Sequence, residues 1–380
     1  MNKKAVKFLK QCIELYSPSG KEEHYAQFLE DFLKNGGFRT HFDKVGNLIA
    51  EKGKGKPHLL LVSHMDTIPG KLPVIKKEGK IFGRGAVDCK PALAAMVYAI
   101  KEFKFAEEGK ITFAGIVREE DSLIGIDTFL ESKIRPDYAI FGEPTKIDQI
   151  CIGYKGRICF EIQIKTQKGH VASSWEYLNA IEMGLNIWED IQQTCKKLNK
   201  KIEILNKNTR YFNQIIPNLT VINGGDINNC VPSNCSLSID IRFPPTIKVK
   251  EILESIREVL AHYKERVLKS GGKAKVTLEI LSKIEGFEIE GKNLVIGALR
   301  WAIFKTLHEK PTLIKKTGTT FINKIGAALN IPSITYGPGD PKLEHTKDEY
   351  IEISDYLKTI EIYQKFFGKL IDLYKRKNKK

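Results

Sequence analysis

The sequence predicts an α/β protein: a main domain with a mixed sheet flanked by helices, interrupted by an inserted ferredoxin-like α+β domain. Three observations predict it. Short, almost wholly apolar runs recur at Leu59–Val62, Ile111–Val117 and Tyr138–Phe141, of the kind buried on both faces in a parallel sheet. Helical periodicities stand between them, and strand–helix alternation is the mark of an α/β sheet. The texture then changes near Tyr154: 157–165 alternates, with Ile158, Phe160, Ile162 and Ile164 on one face, as in a half-exposed strand.

Taken in order, Val6, Leu9, Cys12 and Ile13 space a first helix. Ser19 with Glu22 three residues on reads as a capping box. Behind it Tyr25, Phe28, Leu29, Phe32 and Leu33 keep helical spacing until Gly36-Gly37 ends the run. Residues 47–50 read as a strand, and Ala92, Ala95, Met96, Ala99, Ile100 and Phe103 mark a helix after Asp88. The insert reads β-α-β-β-α-β: strand 157–165, a helix at about 176–198, strands 219–222 and 236–242, a helix at about 248–268 and strand 275–281. From Gly286 the first texture resumes, with a helix at about 293–307, strand 333–336 and a last helix from near Ser354. The expected division is 1–155 and 284–380 for the split main domain and 156–283 for the insert.

Composition narrows the class. At 380 residues and 42% hydrophobic the chain is long enough for two packed domains. No apolar run reaches the roughly 20 residues of a membrane span. The start, Met1-Asn2-Lys3-Lys4-Ala5, leads into an amphipathic pattern with no apolar signal core. Seven cysteines, an odd number without C-x-x-C pairs, argue against a disulfide framework and for a cytoplasmic protein. The net charge of +15 suits an acidic partner. Nucleic acid is not expected, because no recognition element accompanies the charge.

Ligands of open parallel sheets bind beyond the carboxyl ends of the strands, so the residues just past each apolar run are informative. His64 and Asp66 come after the first run. Arg118, Glu119, Glu120 and Asp121 come after the second, and Glu143 after the third. Glu344 and His345 lie beyond 333–336, and Asp88 opens a helix. Two imidazoles and several carboxylates at one edge repel each other unless a cation sits among them. Zn²⁺ takes such an N/O donor set, and paired metals activate water for hydrolysis. His24, His41, His58, His262 and His308 have no such company and read as ordinary residues.

The segments Ser63-His64-Met65-Asp66, Gly83-Arg84-Gly85-Ala86-Val87-Asp88-Cys89-Lys90, Glu119-Glu120, Gly142-Glu143-Pro144-Thr145 and Glu344-His345-Thr346 resemble, in order, those of the M20 metallopeptidases and deacylases. The resemblance covers nearly the whole chain. It implies a zinc-peptidase-like main domain and an insert that serves as lid and dimerisation domain, hence a homodimer. It implies two Zn²⁺ per subunit, for which Co²⁺ can substitute, held by His64, Asp88, Glu120, Glu143 and His345, with Asp88 bridging. Asp66 would orient His64 and Glu119 would be the general base. His170, Asn229, Arg242 and Gly318 would face substrate, His170 as oxyanion donor and Arg242 as a fork for a carboxylate. From sequence alone an ion pair within the sheet is nearly as good a role for Arg242. Two positions depart from the family pattern: Pro91-Ala92 replaces Gly-Gly after Asp88, and Phe321 stands where relatives often have Asp.

Within the family, Ile152-Gly153-Tyr154-Lys155-Gly156-Arg157 and Lys316-Thr317-Gly318-Thr319 most resemble hydrolases that release lysine or ornithine from a small acidic amino-group carrier protein. Such a partner suits the net charge. The alternatives are a deacylase of acetylornithine or succinyl-diaminopimelate, another carboxypeptidase of the family, or a non-catalytic metal- or nucleic-acid-binding protein. The last has no use for Glu119 as an extra carboxylate beside the expected ligands.

Overall fold

In the computed structural model, residues 2–104, 108–205, 211–269 and 273–378 are described. The chain divides into two compact units: Met1–Ile152, Ile289–Lys315 and Thr320–Lys380 form the first, and Gly153–Glu288 with Lys316–Thr319 the second.

The first unit is built on a mixed sheet whose strands run in the order Arg39–Phe42, Leu48–Lys54, Gly109–Ile116, His58–His64, Tyr138–Phe141, Ser333–Thr335, Gln149–Tyr154. Strand His58–His64 lies parallel to both its neighbours and is buried along its whole length, as its unbroken apolar run demands. Register does the positional work. His64 pairs with Ile116, Val62 with Phe141, and Thr335 with Phe141, so the carboxyl ends of four strands finish side by side.

Helix Lys90–Glu102 is buried from Lys90 to Ile100. Ala92, Leu93, Ala94, Ala95, Met96 and Val97 are apolar on every face, the pattern of a helix enclosed by neighbours. It packs on strand His58–His64, helix Lys3–Glu14 and the long helix Ile353–Asn378, all within one hydrophobic core. Pro91 sits in its first turn, where no backbone donor is needed.

The second unit has an antiparallel sheet in the order Ile216–Gly224, Asn234–Phe243, Gly156–Thr166, Ala274–Ile284. Helices Ala180–Leu205 and Val249–Lys269 share its core with Ile158, Phe160, Ile162 and Ile164. This is the β-α-β-β-α-β order of the sequence. The first of these helices starts later than its pattern suggests, because Val171–Glu176 winds as a 3₁₀ segment and Asn179 accepts from Ile181 N ahead of the α-helix.

The capping box at Ser19 is not formed. The helix starts at Glu23, the Ser19 hydroxyl donates instead to Asp66 Oδ2 at 2.7 Å, and Glu22 accepts from Gly20 N and Arg118 N. A buried carboxylate outcompetes a helix terminus for that hydroxyl, since charge-assisted bonds are the stronger ones. All seven cysteines are free. No helix among the described residues is long and apolar enough to cross a membrane.

Candidate metal centre

Beyond the aligned strand ends the first unit gathers two groups of donors. His64, Asp88, Cys89 and Glu143 form one, and Asp88, Glu120 and His345 the other. Asp88 belongs to both. Its Oδ1 lies 3.0 Å from His64 Nε2 and its Oδ2 lies 3.1 Å from His345 Nε2. Glu120 Oε1 is 3.0 Å from His345 Nε2, and Glu143 Oε1 is 4.0 Å from His64 Nε2.

The tautomer of His64 is set by its other nitrogen. Nδ1 faces the main-chain carbonyl of Asp66 at 2.9 Å, which can only accept, so Nδ1 carries a proton and Nε2, aimed at Asp88 and Glu143, is the atom whose lone pair a cation would take in place of a proton. The Asp66 carboxylate is farther from Nδ1, at 3.4 Å. Its close donors are Ser19 Oγ, Glu119 N and Glu120 N, the last two at 3.0 Å. Asp66 therefore grips the turn that carries both glutamates. Arg118 makes that turn possible by entering the left-handed region, φ +57°. Asp121 is drawn away by Arg118, whose Nη2 donates to it at 2.7 Å on the surface.

The charges are unbalanced without a cation. Burial, with Glu120, Asp88 and Asp66 close by, pushes Glu119 up to about 8 although His64 opposes this. Hydrogen bonds to Asp88 and Glu120 push His345 up to about 10. Burial disfavours charge on His64, but Cys89, Asp66 and Asp88 outweigh it and raise its pKa. Burial likewise works against ionised Asp88, yet the two imidazoles hold it well below the usual carboxylate range. Protons thus stand in these groups where divalent cations would serve, and the donor set, two imidazoles with three carboxylates, fits such cations. Cys89 is a weaker candidate: burial pushes its thiol up to about 12, and Sγ lies 3.0 Å from Ser63 Oγ.

These shifts imply a pH signature. Glu119, His64 and His345 all have folded-state values raised above their unfolded ones, so the stability they confer is complete at low pH and lost as pH rises through the folded values. The chelated protein is expected to lose thermal stability between pH 4.5 and about 8, the Glu119 window, and further toward about 10, the His345 window. Thermal unfolding in chelator across that range checks this. Added divalent cation should flatten the slope.

One residue of the site went unread in the sequence. Thr320 Oγ1 lies 3.1 Å from both Glu119 Oε1 and Glu143 Oε1. It has one proton and two carboxylates to serve. With Glu143 turned to a cation, the hydroxyl can hold Glu119. Its signal was the run Thr320-Phe321-Ile322-Asn323, a helix start in which Asn323 Oδ1 accepts from Thr320 N. Thr320→Val is expected to lower kcat about tenfold, the worth of one hydrogen bond to a charged group, with metal uptake retained. Steady-state kinetics with metal analysis checks it. Gly337 is a second unread position. A Cβ there would lie 2.6 Å from Ala92 Cβ and 2.7 Å from the Glu143 carbonyl, so only glycine lets strand 333–335 exit beside Glu143.

The remaining expected residues lie in the second unit. His170 and Asn229 come together there, since His170 pairs with Cys230 across two short strands and Val171 N donates to Asn229 O. His170 Nδ1 accepts from Ala172 N, so in the neutral ring Nε2 bears the proton, on an exposed side chain. Arg242 and the Gly318 segment also meet: Nη1 donates to Thr319 Oγ1 at 3.1 Å and Nε to Asp240 Oδ1 at 2.7 Å. Arg157, directly opposite Arg242 in the sheet, takes the other oxygen of Asp240 at 2.6 Å. Arg242 therefore makes the ion pair within the sheet.

The Peptidase family M20/M25/M40 pattern matches residues 60–369, and the chain belongs to that family; it is a hydrolase. Among curated proteins, it is 33% identical to a Pyrococcus furiosus protein provisionally named [LysW]-lysine/[LysW]-ornithine hydrolase, over 94% of each chain. It is 31% identical to the [LysW]-lysine/[LysW]-ornithine hydrolase of Sulfurisphaera tokodaii, over 95% of this chain and 94% of that one. Among solved structures, a Staphylococcus aureus tripeptidase matches with a TM-score of 0.78 at 20% identity, covering 96% of this chain and 97% of the other, a likeness of fold.

Proposed function

We propose that this hydrolase releases lysine, ornithine or both from the small amino-group carrier protein LysW, in the last step of carrier-linked lysine and arginine biosynthesis in the cytoplasm. One observation carries the reading: full-length similarity to proteins named for that activity, in a chain with a complete donor cluster. The net charge of +15 supports an acidic protein substrate, since complementary fields speed encounter.

In this reading His64 and Glu143 would hold one Zn²⁺ and His345 and Glu120 another, with Asp88 common to both donor groups; Co²⁺ suits the same donors. When bound, such ions polarise the scissile carbonyl and acidify water. Glu119 takes the proton of the attacking water and delivers it to the leaving amine. Thr320 and the Asp66-held amides keep Glu119 in place. His170, with its exposed Nε2–H, donates to the developing oxyanion. The face of Arg242 not engaged by Asp240 receives the carboxylate of the released amino acid, with Asn229 and Gly318 as further contacts. A homodimer through the inserted unit is part of the reading; Val221 and Ile222, exposed on the strand at one end of its sheet, support it.

The test offers the zinc-loaded enzyme three substrates in parallel: carrier-linked lysine, acetylornithine and succinyl-diaminopimelate. Release of lysine from the carrier alone is expected, with KM rising steeply with salt. Turnover of only the small acyl substrates would make this a deacylase and contradict the proposal.

A further inference from the structure

The two halves of the cluster come from distant segments. Asp88 ends the turn Gly83-Arg84-Gly85-Ala86-Val87-Asp88, and His345 lies past the far strand, with Arg84 and Thr346 262 residues apart. Something must fix one segment against the other. His345 also holds φ +63°, a left-handed conformation that is strained for a non-glycine residue. It persists only where the surroundings enforce it.

Arg84 joins the two segments. It is 9% exposed, and its partner Glu349 is 1% exposed. Nε donates to Gly70 O at 2.9 Å, and Nη1 donates to Thr346 O at 2.9 Å and to Glu349 Oε1. Glu349 returns to the Asp88 turn: Oε2 accepts from Gly85 N at 2.7 Å, and its main-chain carbonyl accepts from Gly83 N at 3.3 Å. Thr346 is the residue after His345, so the carbonyl Arg84 grips lies one peptide beyond the His345–Thr346 link and anchors the chain just past His345. Glu349 belongs to neither donor group, and it and Arg84 are both buried, so their pairing does not serve solubility or a surface contact.

We propose that Arg84, locked by Glu349, is the positioning residue of the His345 half of the centre. It holds the main chain just past His345, at the Thr346 carbonyl, against the turn that carries Asp88, so that His345 Nε2 meets Asp88 Oδ2 and Glu120 Oε1. The inference rests on the two-cation reading of the donor cluster. Arginine is required because one planar fork serves Gly70 O, Thr346 O and Glu349 together. A lysine has the charge but a single nitrogen. The His64 half shares only Asp88 with this arrangement, and its own tautomer is set by the Asp66 carbonyl. Loss of Arg84 should therefore be felt on one side.

The test counts Zn²⁺ bound to the metal-stripped full chain, by calorimetric titration with elemental analysis, in the wild type, Arg84→Lys and Glu349→Gln. The wild type is expected to bind two equivalents. Each variant should keep one equivalent at wild-type affinity and bind the other about 10–100-fold more weakly, the usual effect of losing an outer-shell partner. Excess zinc should restore hydrolysis. A residue that merely stabilised the fold would weaken both equivalents alike or neither, and either result overturns the inference. Glu349→Gln matches glutamate in size and can still accept from Gly85 N, so it carries the test should Arg84→Lys fail to fold. A wild-type chain that binds fewer than two equivalents overturns the two-cation reading, and the role of Arg84 with it.

Discussion

Glu119→Gln is expected to lower kcat by roughly two to four orders of magnitude, the range for removing a positioned general base. Metal content should be unchanged, because Glu119 belongs to neither donor group. The substitution also removes the buried group whose pKa is pushed up to about 8, so the chelated variant should lose less stability between pH 4.5 and 8 than the chelated wild type. Single-turnover rates and chelated melting curves read both effects on one preparation. Full hydrolysis in this variant would remove Glu119 from the chemistry.

Asp88→Asn is expected to be as damaging for a different reason. Asp88 offers one oxygen to each imidazole, so its loss strikes both halves at once. Both equivalents of metal should weaken, and hydrolysis should fall to background. The thermal response separates this from a folding defect. Wild-type chain at a hundredfold excess of cation over Kd gains ~2.7 kcal/mol per site, whereas the variant should show almost no rise in Tm. This contrasts with Arg84→Lys, in which one site should still respond.

Much of the centre is legible in the sequence because of how parallel sheets work. Apolar runs at 59–62, 111–117 and 138–141 are unmistakable, and the residues just past them must collect at one edge. Register then decides reach: His64 beside Ile116 brings Glu119 and Glu120 within a turn of it. The insert was legible because alternation at 158–164 differs in period from its surroundings.

The features that stayed hidden depend on partners far away in sequence. Ser19 and Glu22 satisfy a local capping rule, but the Ser19 hydroxyl belongs to Asp66, 47 residues on. Arg84 and Glu349 are 265 residues apart, and nothing local to either announces the pair. Of Thr319 and Thr320, only the backbone path decides that one bonds Arg242 and the other Glu119. The start of helix Ala180–Leu205 was obscured because Val171–Glu176 is helical in a tighter form, which periodicity does not distinguish.

Anomalous diffraction at the zinc edge, from crystals of the zinc-loaded enzyme, tests the central claim most directly. Two peaks are expected in each chain, one against His64 and Glu143, the other against His345 and Glu120, with Asp88 shared between them. A single peak, or a pair that leaves Asp88 bound to only one ion, would contradict the shared two-cation centre.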